Sequence, residues 1–138
     1  VRFLAAQTKD SDKRKADTAN KPNDFLFDGD NIKGGRLLVL CEGAWDAIKI
    51  NSAMIPGVSA TALYGKVLMP KQMTKLIEVS QGYDKVAIGL DKDAYVDSLK
   101  LRDRLQWYVP SVTIATPNDK DWGVMKQSDI KKDLVAVC

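Results

Sequence analysis

The 138 residues suffice for one ordinary domain with a real core and leave little room for a second. Hydrophobic residues at 45% and charged residues at 28% fit a soluble globular chain, and no apolar run approaches the roughly 18 residues of a membrane span. The chain has no histidine, which excludes imidazole bases, histidine zinc sites and Ser-His-Asp triads, and its mild net charge of +3 lacks the dense basic block of an autonomous nucleic-acid grip.

Val1-Arg-Phe-Leu-Ala-Ala is too short an apolar run for a secretory signal, so a cytoplasmic protein is expected, in the host cytoplasm if the source is a phage. A chain opening on valine suggests a piece of a longer protein. From Gln7 to about Asp30 the sequence is polar and mixed in charge, with Asn20-Lys-Pro-Asn23 and Asp28-Gly-Asp-Asn31 as turns around an apolar island, Phe25-Leu-Phe27. Residues 1–31 therefore read as an extension or the remnant of a preceding domain, and 32–138 as the organised domain, with 126–138 a C-terminal helical extension.

Leu37 to Cys41 is a continuous apolar run, as in a central parallel strand covered on both faces. From Ala44 the period becomes helical, with Ala44, Ala47, Ile48 and Met54 on one stripe and Pro56-Gly57 closing the helix. Val58 to Leu63 reads as a second strand leading into Tyr64-Gly65. Pro70 opens a helix whose Met73, Leu76 and Ile77 face inward, and Gly82 marks its exit. Val86 to Leu90 is a third strand, and Tyr95 to Tyr108 a helix with Leu101, Leu105 and Tyr108 spaced to pack on the sheet, stopped by Pro110. Val112 to Thr116 supplies a fourth strand, Pro117-Asn-Asp-Lys a turn, and the stretch from Trp122 a final helical region. This alternation predicts a compact three-layer α/β domain with a central, mainly parallel four-stranded sheet flanked by helices.

Two strands run straight into acids: Leu37-Leu-Val-Leu-Cys-Glu-Gly-Ala-Trp-Asp46 and Val86-Ala-Ile-Gly-Leu-Asp-Lys-Asp93. Carboxyl ends of parallel strands are where open α/β folds gather their sites. Glu42 lies just past the first strand, and Asp46, four residues on, can point toward the same edge from the first turn of the helix; its structural alternative is a favourable charge at a helix amino end. In an extended stretch, Asp91 and Asp93 project to one side and repel unless a cation or a shared proton relieves them. Magnesium, with manganese as substitute, suits such a set, held by one or two carboxylates together with substrate phosphate. Glu42 is a candidate outer ligand or general base, although a glutamate at its ordinary pKa of about 4.3 is a poor base at neutral pH.

Asp119 and Asp121 follow the fourth strand; Asp121 is the better candidate ligand because Trp122 can anchor its loop, and either residue is alternatively a helix cap. Gly65 permits close approach of backbone to phosphate, while Lys66, Lys85 and Lys92 are candidate phosphate contacts or plain surface residues. Trp45 offers either packing or a stacking surface. Cys41 and Cys138 have neither the number nor the spacing of a zinc or disulfide framework.

Together these motifs resemble the Toprim domain shared by bacterial-type (DnaG-like) DNA primases, type IA and II topoisomerases, OLD-family nucleases and recombination proteins of the RecR type, which carries a glutamate after its first strand and an Asp-x-Asp after its third. Val39-Leu-Cys-Glu-Gly-Ala-Trp-Asp46 looks like the primase version, Leu90-Asp-Lys-Asp-Ala94 like the second motif, and Lys120-Asp-Trp122 like the later Lys-Asp or Glu-Asp motif. Ala62-Leu-Tyr-Gly65 followed by a helix containing Gln72 is similar to phage primases and primase-helicases. The resemblance spans roughly Ile32 to Met125.

It implies that Glu42, Asp46, Asp91, Asp93 and Asp121 surround divalent metal, with Glu42, Asp91 and Asp93 catalytic and Gly65, Lys66 and Lys92 near nucleotide or nucleic acid. Ribonucleoside triphosphates would be joined into an RNA primer on a single-stranded DNA template, with release of pyrophosphate. It also implies a separate amino-terminal polymerase subdomain, often preceded by a zinc-binding domain, and a replicative helicase as partner. Primases usually carry a further acid two residues beyond the position of Asp121, where this chain has Gly123. The competing readings are a Toprim nuclease using the same acids to activate water, and a noncatalytic replication or recombination module. A topoisomerase would need a tyrosine domain and gate domains that these residues do not supply.

Overall fold

The computed structural model describes residues 25–29 and 32–138. The expected turn at Asn20-Lys-Pro-Asn23 and most of the amino-terminal extension lie outside the described residues. Four strands, β1 (Gly35–Cys41), β2 (Val58–Ala62), β3 (Tyr83–Gly89) and β4 (Val112–Ile114), form one parallel sheet in the order β2-β1-β3-β4. Helices α1 (Ala44–Ser52), α2 (Pro70–Ser80), α3 (Tyr95–Leu105) and α4 (Gln127–Val137) cover it, with short 3-10 turns at Lys92–Ala94 and Trp122–Val124.

The apolar run of β1 splits by alternation between two cores. Leu38 and Leu40, with Val86 and Ile88 of β3, face the layer of Leu76, Leu101 and Leu105 from α2 and α3. Leu37, Val39 and Cys41, with Ala87, face Ala47, Ile50, Ile130 and Leu134 from α1 and α4. Side-chain period two on a sheet covered on both faces thus explains why β1 carries no polar residue from Leu37 to Cys41. Each fully buried leucine contributes roughly 1.5–3 kcal/mol relative to exposure.

Several expectations are corrected in detail. Helix α1 ends at Ser52, so Met54, with φ of 54°, lies beyond it and is 81% exposed; Ile50, not Ile48, carries the buried stripe. Helix α3 ends at Leu105, which leaves Tyr108 at the surface while Val109 turns inward. Strand β4 stops at Ile114, two residues short of the expected Thr116, and β3 begins at Tyr83, three residues before Val86. Within α2, Gln72 is buried: its amide nitrogen donates to the Phe25 and Leu63 carbonyls at 2.9 and 2.6 Å and its oxygen accepts from Met69 N–H at 2.9 Å. One side chain therefore satisfies three backbone groups and ties the Phe25–Gly29 segment to the domain.

At the amino edge of the sheet the backbone closes on glycines. Gly57 O accepts from Arg36 and Leu37 N–H at 2.7 and 3.0 Å, and Gly82 O from Gly35 N–H at 2.9 Å. A Cβ on Gly35 would stand 2.6 Å from Gly57 O, and one on Gly34 would stand 2.8 Å from Gly82 O, so these positions admit no side chain. At the carboxyl edge the strand order decides the shape. The connection from β1 runs to β2 on one side and β3 continues to β4 on the other, which leaves a crevice between the ends of β1 and β3. Among the described residues no helix is long and apolar enough to cross a membrane.

Candidate metal centre

Parallel register sets Cys41 opposite Gly89, so the residues that leave the two central strands enter the same crevice. Glu42 comes from β1, and its Oε1 accepts the Asp91 backbone N–H at 3.2 Å. Asp46 lies in the first turn of α1, where Gly43 in extended conformation lets the chain turn directly into the helix. Its Oδ1 accepts the Gly123 N–H at 2.9 Å, which draws the loop after β4 over the site. Asp121 caps the Trp122–Val124 turn, its Oδ1 accepting from Val124 N–H at 3.1 Å.

Trp122 fastens that loop. Its side chain is fully buried and its Nε1–H donates to Gly89 O at 2.9 Å, beneath the carboxyl end of β3. Lys92 N–H donates to Lys120 O at 3.0 Å, tying the loop after β3 to the loop after β4. As a result Asp46, Asp91 and Asp121 each bring a carboxylate oxygen within 4.8 Å of the other two. Asp91 Oδ1 is buried with no hydrogen-bond partner among the described residues. A buried, unpartnered anionic oxygen is costly, and a hard cation satisfies it, so the donor set fits a magnesium-type ion held by oxygen.

No protein-family model matches the chain, and no curated protein matches it by sequence. Solved structures match by shape. The primase fragment of the bacteriophage T7 primase-helicase superposes with a TM-score of 0.62 at 18% identity, over 80% of this chain and 47% of that one. A chain from the structure of bacteriophage T7 lagging-strand DNA polymerase interacting with primase domains bound to an RNA/DNA hybrid and dTTP gives 0.56 at 17% identity, over 75% of this chain and 54% of that one. The small TOPRIM domain protein from Bacillus stearothermophilus gives 0.55 at 15% identity, over 75% of this chain and 89% of that one. The chain has a Toprim-like fold. It spans about half the length of the two phage chains, and at these identities the likeness is one of fold.

The electrostatics of the Toprim-like crevice are those of crowded acids. Asp91 is pushed up to about 6, first by burial, then by the charges of Glu42, Asp121 and Asp93, with Lys66 pulling the other way. Asp46 is also raised, mainly by burial and by Asp121 and Asp91, against the lowering hydrogen bonds from Gly123 and Gly43. Beneath them the fully buried Cys41 thiol is pushed well up by burial and by the charges of Asp46 and Asp91, so it is a neutral floor.

Of the sequence-predicted site residues, the structure brings Asp46, Asp91 and Asp121 into one cluster and sets Glu42 against the backbone of Asp91. Asp93 is exposed and outside that cluster. The premise of an extended Asp-x-Asp is corrected, since Lys92–Ala94 forms a 3-10 turn, in which the period of two that would set both aspartates on one side no longer holds. Asp93 instead lines a shallow cleft of about 290 Å³ with Asp91, Lys92 and Lys120. Asp119 binds its own loop, accepting from Lys120 N–H at 2.7 Å. Lys92 donates to Asn118 O at 3.3 Å and Lys85 to Val137 O at 2.8 Å. Gly65 has a φ of 152° and open space where a Cβ would lie, with its N–H donated to Glu42 O at 3.0 Å.

Sequence reasoning assigned no role to Gly123. A Cβ there would lie 2.5 Å from Trp45 Cδ1 and 3.0 Å from Asp46 Oδ1, so the glycine lets the 64% exposed Trp45 ring stand against the loop beside the acidic cluster. The available signal was the departure of Gly123 from the acid that primases carry.

Proposed function

We propose that this Toprim-like domain is the metal-holding part of a primase-type nucleotidyltransferase that joins ribonucleotides into a primer on single-stranded DNA. The observation that carries the reading is the meeting of Asp46, Asp91 and Asp121 over the ends of the central strands, with the Asp91 Oδ1 buried and unpartnered. In this reading the three aspartates hold Mg²⁺, or Mn²⁺ in its place. The bound ion would polarise phosphoryl oxygens and stabilise charge that builds on them during displacement.

Glu42 positions the Asp91 backbone through its accepted hydrogen bond and acts as proton acceptor for the ribonucleotide 3′-hydroxyl. The bond from that oxygen to the α-phosphorus forms as the bond to the β-phosphate oxygen breaks, and pyrophosphate leaves with its electron pair. Asp93 and Lys92 stand at the mouth of the cleft, where the triphosphate would enter. A replicative helicase and an amino-terminal polymerase subdomain would be other parts of the assembled machinery.

The supporting likeness is the fold shared with the primase fragment of the T7 primase-helicase. The test has two arms. Mn²⁺ titration of the chain, followed by electron paramagnetic resonance, should show binding that Asp91→Asn abolishes. The protein carrying this domain, incubated with single-stranded DNA and labelled ribonucleotides, should synthesise primers. Metal-dependent cleavage of DNA without triphosphates, and no synthesis, would establish the nuclease reading instead; metal binding with neither activity would favour the noncatalytic module.

A further inference from the structure

A second surface lies beside the acidic crevice. The loop between β2 and α2 and the face of α3 enclose a groove of about 140 Å³ with Val67 and Leu101 in its lining and Lys66, Lys100 and Arg104 around it, against one carboxylate, Asp97. We propose that this groove seats the phosphodiester backbone of a single-stranded nucleic acid and leads it toward the metal centre. The proposal deepens the primase reading by naming where the strand runs.

Three features of the groove point to this occupant. Lys100 and Arg104 are four residues apart on α3, one turn or ~6 Å along the helix, and so present cations in a row rather than a cluster. A row matches a strand that carries one charge per repeat, whereas a free triphosphate concentrates its charge and would meet Asp97. Arg104 Nη1 donates to Leu68 O at 2.7 Å, which fixes its planar fork between helix and loop while using only part of its five donors.

The apolar lining supplies the second feature. Val67 is 61% exposed although it belongs to a loop between two buried leucines, Leu63 and Leu68. An apolar floor under a basic rim accepts the sugar or base of a strand whose phosphates meet the rim. A duplex turns its bases inward and stacks them, so they cannot reach that floor while its phosphates meet the rim.

Continuity with the crevice is the third feature. Lys66 belongs to the groove, and the residue before it, Gly65, donates its N–H to Glu42 O at 3.0 Å at the end of β1. A backbone that passes Arg104, then Lys100, then Lys66 would therefore arrive at the triad.

The test uses the 138-residue chain and a fluorescein-labelled oligothymidylate, with anisotropy read across a salt series in EDTA so that no metal bridges the two. Binding should weaken with salt, and Lys66→Ala/Lys100→Ala should reduce the slope of log Kobs against log salt by about 1.4, at ~0.7 per single-strand phosphate contact. Lys132→Ala, on α4, should leave the slope unchanged. Lysine acetylation of the unmutated chain read by mass spectrometry should show Lys66 and Lys100 protected by the oligonucleotide, a readout independent of any variant's folding. An unchanged slope in the double variant, no protection of the two lysines, or tighter binding of metal-free ATP than of the oligonucleotide at these lysines would each overturn the proposal. Mn²⁺ binding by the unmutated chain separates the two readings: no Mn²⁺ binding together with the expected fall in slope removes the metal centre and keeps the groove, and Mn²⁺ binding together with an unchanged slope in the double variant removes the groove alone.

Discussion

The Glu42 carboxylate accepts the Asp91 backbone N–H at 3.2 Å, joining the carboxyl ends of the two central strands across 49 residues of sequence. A glutamine side chain can accept the same hydrogen bond, whereas an alanine cannot. Toward the metal Glu42 acts through this hydrogen bond, so Glu42→Gln should bind Mn²⁺ nearly as the unmutated chain does and Glu42→Ala about tenfold more weakly. Primer synthesis by the assembled protein should be lost in both, because neither can take a proton. Synthesis retained in Glu42→Gln would remove the glutamate from proton transfer.

Asp91 gives a pH dependence of defined sign. Its folded pKa is about 6 against ~3.9 for an unfolded aspartate, so between these values the folded chain holds a proton that the unfolded chain has released. That contribution to stability is present at low pH and is lost as pH rises through 6. Without metal, Asp91→Asn should melt close to the unmutated chain at pH 4 and about 2–4 °C above it at pH 7. Calorimetry in EDTA reads the difference; a gap that shrinks as pH rises would contradict the assignment. Divalent ions should reverse the order at pH 7 by stabilising only the chain that binds them.

Gly123→Asp introduces an acid beside the cluster, yet its Cβ would fall 2.5 Å from Trp45 Cδ1. The indole must swing away, and the new carboxylate adds charge to an already crowded cluster. The variant should lose about 1–3 kcal/mol of stability without metal, and its tryptophan fluorescence should shift. Trp45→Ala in the same chain should recover part of the loss. An additive double mutant would show that ring and glycine are not coupled.

Trp122 and Gly89 form a second coupled pair, deeper in the fold. Trp122→Phe removes the donor to Gly89 O and should cost about 1–3 kcal/mol. Gly89→Ala would put a Cβ 2.8 Å from Trp122 Nε1 and 2.9 Å from Val39 Cγ1, so the ring must move and Asp121 with it. Mn²⁺ affinity should fall in Gly89→Ala even though no acid has changed. Unaltered affinity in a destabilised Gly89→Ala would mean that Trp122 does not position Asp121.

The sheet was legible because β1 and β3 are short apolar runs that end in acids, and because Pro70 and Pro110 punctuate the helices between them. Periodicity was less informative where a helix stopped early. Met54 and Tyr108 satisfied a helical spacing, but each lies past the last turn of its helix, where the spacing no longer describes the side chain's direction. The loops were the least legible part. An Asp-Lys-Asp reads as extended until the Asp91 carbonyl accepts from Ala94 N–H at 2.9 Å and winds it into a 3-10 turn. The Asp46 bond to Gly123 spans 77 residues and the Gln72 bond to Phe25 spans 47, so no local pattern encodes them, whereas the Gln72 bond to Met69 is a local capping-box contact.

The glycines that close the amino edge give the molecule two unequal poles. At Gly34 and Gly35 a methyl group collides with a backbone carbonyl, whereas at the other pole, where loops from three strands meet, the glycines Gly89 and Gly123 press on side chains, Trp122 and Trp45. Side chains can re-form their contacts and backbone carbonyls cannot, so variation in this architecture is channelled toward the end where the acids stand, while the far end holds the strands in step.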